Sequence, residues 1–541
     1  MVFASFIFLC WFVPLFLAAY YCLPQRGKNL WLTFASYAFY MWHKPQYALL
    51  MLAITVIDYC VGLGMGSQPD RKDRRRALFV ATVICGTIAL AVWCQLWLGR
   101  DPKFPGTTLQ VPLTWLVADR DGMRPMALGL AIAGVLYLLG SGVSGQQTQG
   151  RRRLWLFVTI ATNLALLGWF KYANLLVDTW NSLQELNGGA TVGWEKIFLP
   201  VGISFFTFQS MSYTIDVYRK EVPPTRSFAD FACYVSMFPQ LVAGPIVRYR
   251  DVMHELVHRR HGYMLFSTGV VMFMIGFAKK VLLADNCALL ADPVFAAAEP
   301  GFVAAWTGVL AYAMQIYFDF SGYSDMAIGL GWMLGFQFPV NFDSPYKSLS
   351  ITEFWRRWHI SLSTWLRDYL YVSLGGNRHG GGRTYLNLMA TMLLGGLWHG
   401  ASWTFLIWGG YQGMFLVFER LTGRKPLYAN APRLVAQLLT FLIVMGGWAV
   451  FRANSLAGLG AILSGMLGAF GTGRAVHPIL NGNVAYLALL VATLVAFFPP
   501  NSTAVIRRFD PLVILGVIGA FLLALGQFFT RDYSPFIYFQ F

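Results

Sequence analysis

The stretch SITEFWRRWHISLSTWLRDYLYVSLGGNRHGGG, residues 350–382, and LLGGLWHG, residues 393–400, interrupt an apolar chain with charge, tryptophan and two histidines, His359 and His399. Polar groups at membrane depth are costly and are kept where they are used. Whether these residues lie in a membrane is settled by the rest of the chain. Of its 541 residues, 57% are hydrophobic and 12% are charged, against roughly 25% charged in soluble domains. The fold class is therefore all-α, a polytopic integral membrane protein.

Crossing hydrocarbon as a helix takes about 20 apolar residues, because the backbone must satisfy its own hydrogen bonds there. Apolar runs at 30–42, 47–65, 77–98, 126–139, 154–170, 197–218, 231–247, 265–283, 302–318, 401–417, 434–451, 484–498 and 512–528 meet or approach that length. They predict roughly 12–16 helices, some too short or too polar to span straight. The run at 1–23 has neither a basic n-region nor a small-residue cleavage site and reads as a retained helix. Long alternating strand patterns are missing, which argues against a barrel. With no internal repeat and no long polar segment, residues 1–541 read as a single membrane-embedded domain.

The net charge of +16 comes in short clusters between apolar runs, which points to positive-inside bias and away from a nucleic-acid partner. DRKDRRR at 70–76 is placed in the cytoplasm, with 25–29 and 151–153 on the same side; 99–125 and the N-terminus fall outside. The seven cysteines, Cys10, Cys22, Cys60, Cys85, Cys94, Cys233 and Cys287, show no CxxC pair and indicate neither a disulfide framework nor a zinc knuckle.

Three stretches carry candidate chemistry. In QIYFDFSGYSDMAIG, residues 315–329, Asp319 and Asp325 are six apart and so lie off a common helix face. A helix break at Ser321-Gly322 would let both carboxylates reach one cavity; hydrogen-bonded packing at a kink is the plainer alternative. His254-Glu255-Leu256-Val257-His258 has the HExxH form of a zinc protease, with His261 close behind. It lies in a basic, polar stretch that also reads as an amphipathic surface helix, and no metal is expected.

The third is the opening stretch. Trp355, Trp358 and Trp365 are spaced to share one face of a helix, with arginines on another. Arg356 and Arg357, with Trp355 and Trp358, form a basic, aromatic surface suited to a phosphate-rich ligand. The glycines of GGNRHGGGR predict a flexible turn. An apolar run then ends in Trp398-His399-Gly400. His399 reads either as an interfacial histidine with a satisfied hydrogen bond or as a general base kept neutral by desolvation.

FWRRWHISLSTWLRDYLYVSLGGNR followed by LWHGASWTFLIWGGYQG resembles the membrane-bound O-acyltransferase superfamily, most of all the branch containing the alginate O-acetyltransferase membrane subunit. FPVGISFFTFQSMSYTIDVYR, MFPQLVAGPI, GFAKKVLLADN, YFDFSGYSDMAIGLGWMLGFQFPVNFDSPY and the terminal PFIYFQF are similar to that branch too, so the resemblance runs along nearly the whole chain. It implies many helices around a central site reached by an acyl donor from the cytoplasm. His399 matches the superfamily's invariant histidine and would act as general base toward an acceptor hydroxyl or relay the acetyl group; His359 matches its second active-site position and would orient the donor carbonyl and offset the developing oxyanion. Arg356, Arg357, Trp355 and Trp358 would then lie on the acyl-donor side, and Asp319, Asp325 and Trp398 are supporting candidates. The resemblance further implies acetyl-CoA as donor substrate, no permanently bound cofactor, an exported polysaccharide as acceptor (alginate, with cellulose, peptidoglycan or another glycan as alternatives), a periplasmic serine-hydrolase-like partner, and a bacterial inner membrane as location. Two alternatives come from other classes: a glycan or lipid transporter, suggested by the carboxylates at membrane depth, and an intramembrane zinc metalloprotease, from the HELVH stretch.

Overall fold

The computed structural model describes residues 3–42, 46–66, 72–73, 75–80, 82–83, 148–423, 425–472, 482–508, 510–530 and 536. The runs expected at 77–98 and 126–139, and the loop at 99–125, lie wholly or mostly outside these. The described residues are helical with no strand among them, as the apolar pattern required. They form two compact units, one from residues 6–242 and 248–259, the other from 2–5, 243–247 and 260–541.

The first unit holds α1 (Val13–Cys22), α2 (Gln25–Met41), α3 (Gln46–Gly64), α4 (Gln149–Leu186), α5 (Ile203–Arg219), α6 (Phe228–Ser236) and α7 (Tyr249–Val257). Its centre is α5, buried along almost its whole length. Asp58 of α3 joins three helices there: it accepts from Thr159 and Asn163 of α4 at 2.5 and 3.0 Å and from Ser210 of α5. A fully buried carboxylate is tolerable only when donors surround it in this way. The run at 231–247 does not form one helix. The chain turns at Met237 and restarts with Pro239 in the first turn of a four-residue helix, Phe238–Leu241, because proline lacks the N–H that an interior helical position needs.

The second unit begins with α8 (Tyr263–Ala278), which passes through a wider π-helical turn, Lys279–Ala284, into α9 (Asp285–Ala296). Then follow α10 (Phe302–Met333), α11 (Ile351–Arg357), α12 (Ile360–Trp365), α13 (Gly380–His399), α14 (Trp403–Leu421), α15 (Arg433–Arg452), α16 (Leu456–Met466), α17 (Gly482–Phe497), α18 (Ser502–Arg508) and α19 (Pro511–Thr530). Helices α8 and α10 touch backbone to backbone: a Cβ on Gly276 would lie 2.4 Å from the Gly322 carbonyl oxygen. Small residues permit such approach where van der Waals packing must hold helices together.

With that approach, neither a break nor a kink opens at Ser321-Gly322. Helix α10 runs unbroken through both residues, and its two carboxylates do not converge. Asp319 pairs with Lys280 at 2.7 Å, and Asp325 pairs with Lys279 at 2.7 Å and accepts from the Ser502 hydroxyl at 2.6 Å. Consecutive lysines on the π-helical turn fan out to meet acids that the helical pitch has sent in different directions.

Five described helices are long and apolar enough to cross a membrane: Tyr47–Gly64, Gln149–Leu186, Tyr263–Ala296, Arg433–Arg452 and Pro511–Thr530. In α19 the side chains of Leu512, Leu515, Leu522, Leu523 and Phe529 are exposed. A surface of that kind is stable against lipid and costly against water. The chain is a multi-pass membrane protein.

Candidate active site

Helix α11 is started with care. Ser350 caps it, its hydroxyl accepting from the Glu353 N–H at 3.0 Å, the S-x-x-E pattern of a capping box. Glu419, reaching over from α14, accepts from the Ile351 and Thr352 N–H groups at 2.7 and 2.9 Å. An acid at a helix N-terminus meets both unpaired donors and the positive end of the dipole.

The single tryptophan-bearing helix expected here does not form. The chain leaves the α region at Trp358, and His359 takes φ 43°, ψ 54°, a left-handed conformation that costs a non-glycine residue about 1–3 kcal/mol. The preceding loop secures the break, since Asn341 O accepts from Ile360 N–H and Arg357 O accepts from Asp343 N–H, both at 2.9 Å. The tryptophans therefore separate. Trp358 is buried against Trp448, rings 4.7 Å apart, while Trp355 donates to Gln412 and meets Trp408 edge-on. Trp365 packs on Tyr369. Arg357 pairs with Glu353 at 2.8 Å, and Arg356 is exposed. The four residues expected on the acyl-donor side sit at the end of α11 and at its cap.

His399 is the last residue of α13, and Gly400 leaves the helix extended. The helix starts earlier than the glycine turn suggested. Gly375 and Gly376 make the bend with positive φ, and Gly380–Gly382 are already its first turn. Helices α13 and α14 pack so closely that a Cβ on Gly409 would lie 2.4 Å from the Met392 carbonyl oxygen. This hairpin holds His399 against the break at His359.

The two imidazoles come together, their ring centres 6.4 Å apart, with Trp398 5.0 Å from His399 and 6.0 Å from His359. Phe320 stands edge-on to His359 at 4.6 Å; Trp408 and Phe451 stand edge-on to His399 at 5.2 and 5.3 Å. His359 is fully buried and His399 nearly so. Burial lowers the His359 pKa to about 3, because the charged form loses its water. Its Nδ1 faces Asn341 Oδ1 at 3.1 Å, and its Nε2 is buried with no hydrogen-bond partner among the described residues. An apolar, aromatic enclosure around two bases strengthens any electrostatic interaction made inside it.

Asp319 and Asp325 are held in their ion pairs with Lys280 and Lys279. In the HELVH stretch, α7 ends at Val257 and His258 is its C-cap, the His258 N–H still donating to His254 O at 2.7 Å. Among the described residues no group of three side chains could hold a metal ion. Asn341, Trp408, Glu419 and Phe451 escaped the sequence reading. Only Glu419 carried a plain signal, as the one acid in the apolar run of α14.

A helical membrane chain with two imidazoles enclosed by aromatic rings is equipped for transfer chemistry kept away from water. The membrane-bound O-acyltransferase family model matches residues 203–431, a span that includes both histidines, and the chain belongs to that family; it is an acyltransferase. It is 39% identical to the probable alginate O-acetylase AlgI of Pseudomonas putida, over the whole of both chains. It is 42% identical to the protein of that name from Azotobacter vinelandii, over 84% of this chain and 76% of the other. To the peptidoglycan O-acetyltransferase of Helicobacter pylori it is 34% identical, over 82% and 92%.

Proposed function

We propose that the chain is a membrane O-acetyltransferase that takes acetyl from a cytoplasmic thioester donor, acetyl-CoA, and passes it toward an exported polysaccharide, alginate. The observation that carries this is the apposition of His359 and His399 in an enclosure of aromatic rings. The names of the full-length relatives support acetyl as the group and a polysaccharide as the acceptor. In this proposal the whole of 1–541 serves one acyltransferase activity in the bacterial inner membrane, and a periplasmic partner delivers the acetyl group to the polymer.

His399 acts as general base. It takes the proton of the acceptor hydroxyl as that oxygen attacks the acetyl carbonyl carbon; a C–O bond forms, the C–S bond of the thioester breaks, and the leaving thiolate recovers the proton from the imidazolium. Positioned proton transfer of this kind contributes about 10²–10⁴-fold. His359 orients the reacting groups. His399→Ala should abolish polymer acetylation while the protein still accumulates in the membrane; acetylation retained in that variant would sink the mechanism.

The Helicobacter pylori relative favours peptidoglycan as the second acceptor to test. Acetyl content of the exopolysaccharide and of the cell wall, with and without the gene, separates the two.

A further inference from the structure

We propose that Asn341 is a positioning residue that fixes His359 in its Nδ1–H tautomer, so that His359 Nε2 meets the substrate as a bare lone pair. This rests on the acetyltransfer proposed above and names the kind of group the site must hold. Asn341 Oδ1 lies within reach of three groups: the Ser361 backbone N–H at 3.2 Å, the Ser361 hydroxyl at 2.9 Å and His359 Nδ1 at 3.1 Å. A backbone N–H can only donate, so the atom it faces is the amide oxygen. Ser361 is itself held by its hydroxyl, which accepts from the Ile246 N–H at 3.0 Å. With an oxygen opposite it, Nδ1 must carry the hydrogen, and a neutral imidazole then has none on Nε2.

This excludes one role for His359. A bare Nε2 cannot donate to an oxyanion or to the donor carbonyl; it accepts from an O–H. The ring centres are 6.4 Å apart and an O–H meets a nitrogen at about 2.8 Å, so the two imidazoles are close enough to engage one substrate. An acceptor that carries a second O–H beside the reacting one satisfies both histidines: His359 holds that O–H while His399 deprotonates the hydroxyl that reacts. Asn341 Nδ2 is also buried without a partner among the described residues, so the amide is not placed there for its own satisfaction.

The test uses the full-length protein in lipid, labelled with ¹⁵N-histidine, the His359 signals being assigned by their loss in His359→Asn. Wild type should show a protonated Nδ1 and an unprotonated Nε2. Asn341→Ala should mix the tautomers and lower acetylation about 10–100-fold, as losses of outer hydrogen-bond partners do. Asn341→Asp, which keeps the acceptor oxygen, should restore the tautomer and most of the activity. An Nε2–H tautomer in wild type, or an unchanged tautomer in Asn341→Ala, would overturn the inference, as would an Asn341→Asp variant no better than Asn341→Ala. Because the tautomer is read without turnover, a failure of the acetyltransfer proposal, seen as an active His399→Ala, stays distinguishable.

Discussion

His359 and His399 lie 40 positions apart in sequence, yet their rings stand 6.4 Å apart beside Trp398. Two devices bring them there. One is the break between α11 and α12, where His359 is left-handed; the other is a glycine-lined hairpin that fixes the end of α13 at His399. Each device can be weakened without touching an imidazole, so position and chemistry can be tested separately.

The hairpin is the first target. Gly409→Ala would set a methyl 2.4 Å from the Met392 carbonyl oxygen, and neither backbone can move without separating α13 from α14. Forced overpacking of this kind costs about 1–3 kcal/mol. Acetylation should fall further than thermal stability does, because His399 moves with α13. Measuring both on the purified protein checks this, and full activity in Gly409→Ala would show that the hairpin spacing is not critical.

Glu419 tests the other device. Glu419→Ala leaves the Ile351 and Thr352 N–H groups without their acceptor, a loss of about 1–3 kcal/mol for buried donors. The start of α11 should loosen, lowering the unfolding midpoint in detergent. Glu419→Gln keeps one acceptor oxygen and should fall between wild type and alanine.

What the sequence made legible follows from range. Helices at 302–318, 434–451, 484–498 and 512–528 were visible because an apolar run reports its own burial; the structure shifts the ends of the last three by one or two residues and carries the first on to Met333. The break at His359 was invisible, because it is written in Asn341 and Asp343, which bond to the chain 14–20 residues later. The tryptophan spacing pointed instead to one continuous helix. Asp319 and Asp325 were open between two readings for the same reason: whether two acids converge depends on what faces them, and Lys279 and Lys280 lie on another helix.

Those lysine–aspartate pairs give a double-mutant prediction. Lys280 and Asp319 are almost wholly buried and 2.7 Å apart. Removing one partner strands a buried charge, which costs about 3–5 kcal/mol, whereas replacing both with apolar residues of similar volume is often close to neutral. Lys280→Met should therefore destabilise strongly, and Lys280→Met with Asp319→Leu should recover much of the loss. Asp285 also contacts Lys280, at 2.6 Å, so the recovery should be partial. A double variant as unstable as the single one would mean that the charges are needed for more than each other.

The last prediction concerns pH. Burial lowers the His359 pKa to about 3, while a histidine in an unfolded chain titrates near 6.5. Between those values the unfolded chain binds a proton that the folded chain does not, so stability must fall as pH is lowered. Above about 6.5 neither state binds it and the contribution is flat. The unfolding midpoint in detergent should accordingly be level above neutrality and drop as pH goes from about 6.5 toward 5. His359→Asn removes the titrating group while keeping a compact polar side chain, and its decline over that range should be shallower. Equal slopes for the two proteins would show that His359 is not the group that resists protonation. A shallower slope ties the acid sensitivity of the fold to the imidazole that the proposed reaction requires neutral.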